Sequence, residues 1–290
     1  MITTDQRLKI VVEIKDNEKN YSSAAKYAVA IGINPAQLSR IKKGDIANVL
    51  SDAKWITIAR RLAVELGTQT KHITVKTPVF QFITAQLDAC KRYSQSGMLC
   101  DIADIGKTYA ARYYARTHKN SVYIDSSQCK SKQKFVRNLA KEFGLNNTGR
   151  YVDVYADLVY YIKTISQPIA IIDEAGDLDY SAFLELKALW NATECACGWY
   201  MMGADGLKAK IDGNIGRKKV GYTEIFSRYG SRYQKITPEG SEANKEFAKK
   251  QTALIAKANG ITDIQNLYAH THGSLRRIYI ELQKLNNEKI

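Results

Sequence analysis

The stretch GMLCDIADIGKTYAARYYA, Gly97–Ala115, decides the fold. A short apolar run, Gly97–Ile102, passes through a loop into Gly106-Lys107-Thr108 and then into a helix-forming segment. Strand, loop, Gly-Lys-Thr and helix in that order form the end of a phosphate-binding loop. Backbone N–H groups of the loop and first helical turn point at phosphate oxygens. Lys107 brings a mobile charge for the β- and γ-oxygens, and the Thr108 hydroxyl is a ligand for Mg2+. The nucleotide contacts expected here are Asp104, Ile105, Gly106, Lys107, Thr108 and Tyr109. The loop departs from the full G-x-x-x-x-G-K-T pattern, because Asp101 stands at the first glycine position and Asp104 adds a carboxylate inside the loop. Two acids there are expected to disfavour a triphosphate and to slow turnover.

A second motif lies about sixty-five residues further on. The stretch QPIAIIDEAGDL, Gln167–Leu178, reads as an apolar strand ending in Asp173-Glu174. Two carboxylates at the end of a buried strand are costly unless a cation or a water needs them. In that pairing Asp173 orders Mg2+ and Glu174 activates the attacking water. Further apolar, β-branched runs at Val122–Asp125, Trp199–Gly203 and Tyr233–Thr237 alternate with helical stretches. The fold class expected is α/β, a parallel sheet covered by helices, with ligands beyond the carboxyl ends of its strands.

The 290 residues carry 43 Lys+Arg against 29 Asp+Glu, a net charge of +14, with 45% hydrophobic and 25% charged residues. That composition excludes wholesale disorder and a disulfide-stapled scaffold. No apolar run approaches the ~18 residues of a membrane span, and the first residues are too charged for a signal peptide. A cytoplasmic protein without a membrane partner is expected. Of the five cysteines only Cys195-Ala-Cys197 could hold a metal, and with no second pair of ligands buried, reduced thiols are expected. The charge excess points to a polyanion, and it is shared: residues 1–78 hold 13 basic and 7 acidic residues, the remainder 30 and 22.

The chain divides where KHITVKTP breaks the helical pattern. The expected parts are a helical domain over 1–66, a linker over 67–78, a nucleotide-binding core over 79–238 and a helical lid over 239–290. In the first part Ser22 is placed to cap a helix that ends at Gly32, and Asn34 with Pro35 opens a second helix stopped by Gly44. That second helix turns Leu38 and Ile41 inward and Gln37, Ser39, Arg40, Lys42 and Lys43 outward. Residues 22–44 resemble the helix-turn-helix of lambda-repressor-like domains, which implies that Gln37, Arg40 and Lys43 face DNA.

Towards the end of the chain, EIFSRYGSRYQKI places Arg228 and Arg232 just before the last strand, and HGSLRRIYIELQKL opens a helix at Ser274 with Leu275, Ile278, Leu282 and Leu285 inward. Across 79–290 this set of motifs resembles an AAA+ ATPase. The resemblance implies ATP and Mg2+ as cofactors, Arg228 or Arg232 as a finger reaching a neighbouring subunit's γ-phosphate, and Arg276 as a lid arginine over the nucleotide. With the helix-turn-helix domain in front, the chain resembles the phage Mu B-type transposition ATPases and, more distantly, TniB and IstB-like helper ATPases. That likeness implies a homo-oligomer, a filament or ring on double-stranded DNA, which presents target DNA to a transposase and is dismantled by hydrolysis.

Lys130, Lys132 and Lys134, after the second strand, and Lys218 and Lys219, in a later loop, are the cations expected to touch phosphates without reading sequence. Ala204 stands where this family carries a polar residue after the fourth strand, a second reason to expect slow basal hydrolysis. Two other functions fit the same motifs: a nucleotide-sensing transcriptional regulator and a helicase-loader-type ATPase.

Overall fold

The computed structural model describes residues 2–62, 64, 66 and 73–287. Four helices come first, α1 (Thr4–Glu18), α2 (Ala24–Ile31), α3 (Pro35–Lys42) and α4 (Asp52–Arg61). Each begins at a residue whose side-chain oxygen accepts an N–H of the first turn: Thr3, Ser23, Asn34 and Ser51. The cap of α2 is thus one residue later than expected. Ser22 is otherwise engaged, its hydroxyl 2.5 Å from the hydroxyl of Tyr161. Gly32 closes α2 at φ 82°, a left-handed conformation that favours glycine. Ile10, Ile14, Tyr27, Leu38, Ile41, Trp55 and Ile58 make the core of this part.

Of the expected linker, residues 67–72 lie outside the described residues. Residues 73–77 have no regular structure, and α5 (Pro78–Tyr93) starts with Thr77 as cap and proline in its first turn. The core then runs β1 (Ser96–Cys100), α6 (Lys107–Thr117), β2 (Ser121–Asp125), α7 (Lys132–Glu142), α8 (Tyr151–Thr164), β3 (Ile169–Asp173), α9 (Tyr180–Ala192), β4 (Gly198–Gly203), α10 (Asp205–Gly216) and α11 (Tyr222–Arg228). The sheet is wholly parallel, in the order β1-β4-β3-β2. Every residue of β3 is buried, the apolar run 169–172 as a central strand requires and Asp173 with its hydrogen-bond partners. Ile169 and Ile171 pack with Leu99, Tyr200 and Met202 against α5 and α6. Ala170 and Ile172 pack with Trp199 and Met201 against α7, α8 and α9. The result is three layers with the sheet in the middle.

The fifth strand expected at Tyr233–Thr237 reduces to one parallel bridge between Leu99 and Gln234. Gln234 donates to the Met98 carbonyl at 2.8 Å and its own carbonyl accepts from Cys100 at 3.0 Å. Beyond that pair the ladder stops because a side chain takes over. The Asp101 carboxylate accepts the N–H groups of Ile236 and Thr237 at 2.7 and 2.9 Å.

Three helices follow, α12 (Ser241–Ala258), α13 (Ile264–Thr271) and α14 (Leu275–Asn287), around Ala256, Leu267, Ile278 and Leu282. Leu285, expected to point inward, is exposed. The N-terminal helices are docked on the sheet domain. Asn120 donates its N–H to the Asn20 carbonyl at 2.9 Å, Arg116 pairs with Glu13 at 2.9 Å, and Lys26 lies over the Tyr161 ring. Four of the five free cysteines are buried, and Cys195 is exposed against the expectation. Among the described residues no helix is long and apolar enough to cross a membrane.

Ile41 is fully buried between α1, α2 and α4. Ile41→Ala is expected to cost about 2–5 kcal/mol, read as a lowered midpoint in urea unfolding.

Candidate nucleotide site

The parallel register brings the carboxyl ends of all four strands to one level, with Cys100 beside Gly203 and Asp125 beside Asp173. The chain leaves β1 at Asp101 and returns as α6 at Lys107, so the intervening loop lies across these ends. Gly106 opens the helix at φ 99°, a conformation that a side chain would strain. Its missing Cβ also leaves room for the Leu275 side chain, which would be 2.9 Å from that atom.

Lys107 is buried, with its ammonium 2.7 Å from the Asp101 carbonyl and 2.5 Å from that of Ile102. Burial lowers its pKa, and the carboxylates of Asp101, Asp173 and Glu174 oppose the shift. The Thr108 hydroxyl donates to Asp173 Oδ2 at 2.7 Å. Asp173 also accepts from the Tyr123 hydroxyl at 2.9 Å and, through Oδ1, from the Glu174 N–H at 3.0 Å. Glu174 follows in the left-handed region at φ 49° and starts a single 3-10 turn, Ala175–Asp177. Burial raises its carboxyl above the usual glutamate range, and Asp173 adds to the effect. A hydroxyl and a carboxylate within hydrogen-bond distance suit a hard cation that takes oxygen ligands and keeps several waters. Thr108 and Asp173 are therefore the residues that would hold Mg2+.

These groups border an open cleft of about 1300 Å³, lined by Gly106, Lys107, Thr108, Tyr109, Glu174 and Ala204. Arg276 of the lid and Glu13 of α1 lie on the same cleft. Tyr109 is half exposed, with its hydroxyl 2.6 Å from that of Thr74. Ile105 belongs to the apolar core, so only its backbone faces the loop. Ala204 is on the cleft where a polar residue was expected, and Asp205, the first residue of α10, is exposed.

The two loop acids are both bonded to elements near the end of the chain. Asp101 is fully buried and takes four hydrogen bonds: the two N–H groups of the last segment, the Thr237 hydroxyl at 2.5 Å and the Ile102 N–H at 2.8 Å. Its charge is spent on the edge of the sheet. Asp104, at φ 65°, accepts from the Ser274 hydroxyl and from the Arg276 N–H at 3.1 Å. It faces the start of the lid helix.

The remaining expected residues divide into engaged and free. Arg228 donates to Asn191 Oδ1 at 2.7 Å and stacks on Trp190, while Arg232 is exposed. Lys130 pairs with Asp177 and Lys132 with Glu185, each at 3.0 Å; Lys132 also lies over Tyr151. Gln37 closes a capping box with Asn34 and reaches the Val49 carbonyl, and Arg40 pairs with Asp45. Lys219 lies over the Tyr180 ring at 4.0 Å. Lys43, Lys134 and Lys218 are exposed. Sequence reasoning missed Tyr123, and it placed Ser274 at the start of the lid helix without its bond to Asp104. The two-residue alternation along β2 puts Tyr123 on the face of Asp125, and that was a readable signal.

Sheet order, loop and paired acids together make an α/β domain with a parallel sheet and a phosphate-loop-like turn, and the family described as "AAA domain" matches residues 90–211. The chain is similar to phage transposition B proteins. It is 24% identical to the Mu-like prophage FluMu DNA transposition protein B of Haemophilus influenzae, over 92% of this chain and 96% of that protein. It is 30% identical to the ATP-dependent target DNA activator B of Escherichia phage Mu, over 47% of this chain and 42% of that protein. Among solved structures, NtrX from Brucella abortus in complex with ATP gives a TM-score of 0.44 at 13% identity, over 87% of this chain and 59% of that one.

Asp101→Ala would leave three N–H groups and a hydroxyl without their acceptor. A loss of about 3 kcal/mol or more is expected, seen as a lower thermal midpoint, with Asp101→Asn intermediate.

Proposed function

We propose that this chain is an ATP-dependent, sequence-tolerant DNA-binding ATPase that assembles on target DNA and delivers it to a transposase, with hydrolysis driving disassembly. The observation that carries the nucleotide half is the joint of Thr108 and Asp173 beneath the phosphate loop, with Lys107 and Glu174 on the same cleft. ATP bound there supplies the phosphoanhydride to be cleaved, and Mg2+ its charge neutralisation. Lys107 binds the phosphate oxygens after leaving the loop carbonyls it now holds. Glu174, on the same cleft beside Asp173, takes the proton of the attacking water. Tyr123 orients the Asp173 carboxylate through its hydroxyl. Arg228 or Arg232 acts across a subunit boundary. Arg232, exposed and uncommitted in the hydrogen bonds and ion pairs of the described residues, is favoured over Arg228, whose guanidinium is held by Asn191 and Trp190.

The DNA half rests on the similarity to transposition B proteins along nearly the whole chain and on exposed cations. Lys134 and Lys218 are free for phosphates, whereas Lys130 and Lys132 must first leave Asp177 and Glu185. On the N-terminal helices, Lys43 is the cation of the expected DNA face that has no ion pair among the described residues, because Arg40 pairs with Asp45, Lys42 with Glu18, and Gln37 is internally bonded.

Electron microscopy with random-sequence duplex DNA tests the whole reading: filaments or rings are expected with ATP only. Discrete dimers on one operator sequence would establish the regulator reading instead. Lys107→Ala is expected to abolish ATP-dependent assembly. Glu174→Gln is expected to preserve assembly and lower kcat by about 10²–10⁴-fold. Lys130→Ala with Lys132→Ala is expected to weaken binding to all sequences alike and to reduce the salt slope by roughly one per lost phosphate contact.

A further inference from the structure

The lid helix begins on the phosphate loop. Ser274 caps α14, its hydroxyl accepting the Arg277 N–H at 3.2 Å and donating to the Asp104 carboxylate. The same carboxylate accepts the Arg276 N–H at 3.1 Å, and the Leu275 N–H points at the Asp104 carbonyl at 3.4 Å. Leu275 closes the contact over Gly106. Three successive residues of the lid are therefore fastened to the loop, and one side chain, Asp104, makes two of the bonds. The Arg276 guanidinium takes little part. Its Nε is 3.6 Å from Asp104 and its side chain is 84% exposed on the cleft.

From this division we infer that Asp104 is a positioning residue. It holds the first turn of α14 on the phosphate loop by hydrogen bonds to Ser274 and to backbone, and so delivers the free guanidinium of Arg276 to the nucleotide's terminal phosphate. A carboxylate at a helix start is favoured by the unpaired N–H groups there. That explains how an acid occupies a phosphate loop without sitting on the phosphates: its lone pairs face the lid. Lid and loop move as one piece at this joint. A phosphate entering beside Lys107 then competes with Asp104 only for the weak guanidinium contact, not for the two tethering bonds. The inference rests on the reading of the cleft as an ATP site.

The test uses the full chain in two measurements. Without nucleotide, hydrogen exchange at the amides of residues 275–278 is expected to be about tenfold faster or more in Asp104→Ala than in the unaltered chain, with α12 and α13 unchanged. Asp104→Asn keeps a side-chain acceptor and is expected to restore most of the protection. In the second measurement, Arg276→Ala weakens binding of a non-hydrolysable ATP analogue roughly tenfold more than binding of ADP. In the Asp104→Ala background the same change is expected to have less than about a twofold effect, since the arginine is no longer delivered. Unaltered exchange at 275–278 in Asp104→Ala would overturn the tether. A full Arg276 effect in the Asp104→Ala background would overturn the delivery. Equal binding of the analogue by the unaltered chain and Lys107→Ala would overturn the nucleotide reading itself, and the exchange result would stand apart from it.

Discussion

The carboxylate of Asp101 is sealed from water at the end of β1, and an ionised group in that position is costly unless its lone pairs are filled. Four donors fill them. Two are consecutive backbone N–H groups of the last core segment, one is the neighbouring hydroxyl, and one belongs to the next residue of the loop. A single side chain thus ends the strand, sets the first bend of the phosphate loop and fastens the edge of the sheet beside it. The Lys107 ammonium returns to the carbonyl of this same residue. Start and finish of the loop are in this way tied to one point.

Around that point the charged groups fall into two kinds. Asp101, Asp104 and Asp173 have their oxygens occupied by hydroxyls and N–H groups from other elements, and they fix geometry. Lys130, Lys132, Arg40 and Lys42 each have an acidic partner. The pairs Lys130–Asp177 and Arg40–Asp45, exposed on both sides, are worth little on their own, about 0–1 kcal/mol, so a phosphate can displace their acids at small cost, whereas Glu185 and Glu18 are more deeply set. The basic side chains are thus presented partly as free lysines and partly as cations held in ion pairs.

Much of this was legible in the sequence, for identifiable reasons. The unbroken apolar run of β3 and the Gly-Lys-Thr before α6 depend on neighbours in the chain, and both appear where expected. The same holds for Asn34 and Pro35 at the start of α3. What could not be read depends on partners far away. Asp101 meets residues about 135 positions on, and Asp104 meets residues about 170 positions on. Without those partners, both acids look like repulsive neighbours of a phosphate. The expected fifth strand failed for the same reason: its ladder is completed by a side chain from elsewhere. Ser22 was bypassed as a cap because a tyrosine from α8 claims its hydroxyl.

The cleft has a further consequence through its three walls. Its sides come from α1 near the start of the chain, from the loop and α6 in the middle, and from the lid at the end. A ligand that touches all three is bound only while all three stay folded and docked. Its binding free energy is then added to the unfolding of the whole chain and not to that of the central sheet alone. Occupation of one site would then link the N-terminal helices, the sheet and the lid in one cooperative unfolding unit.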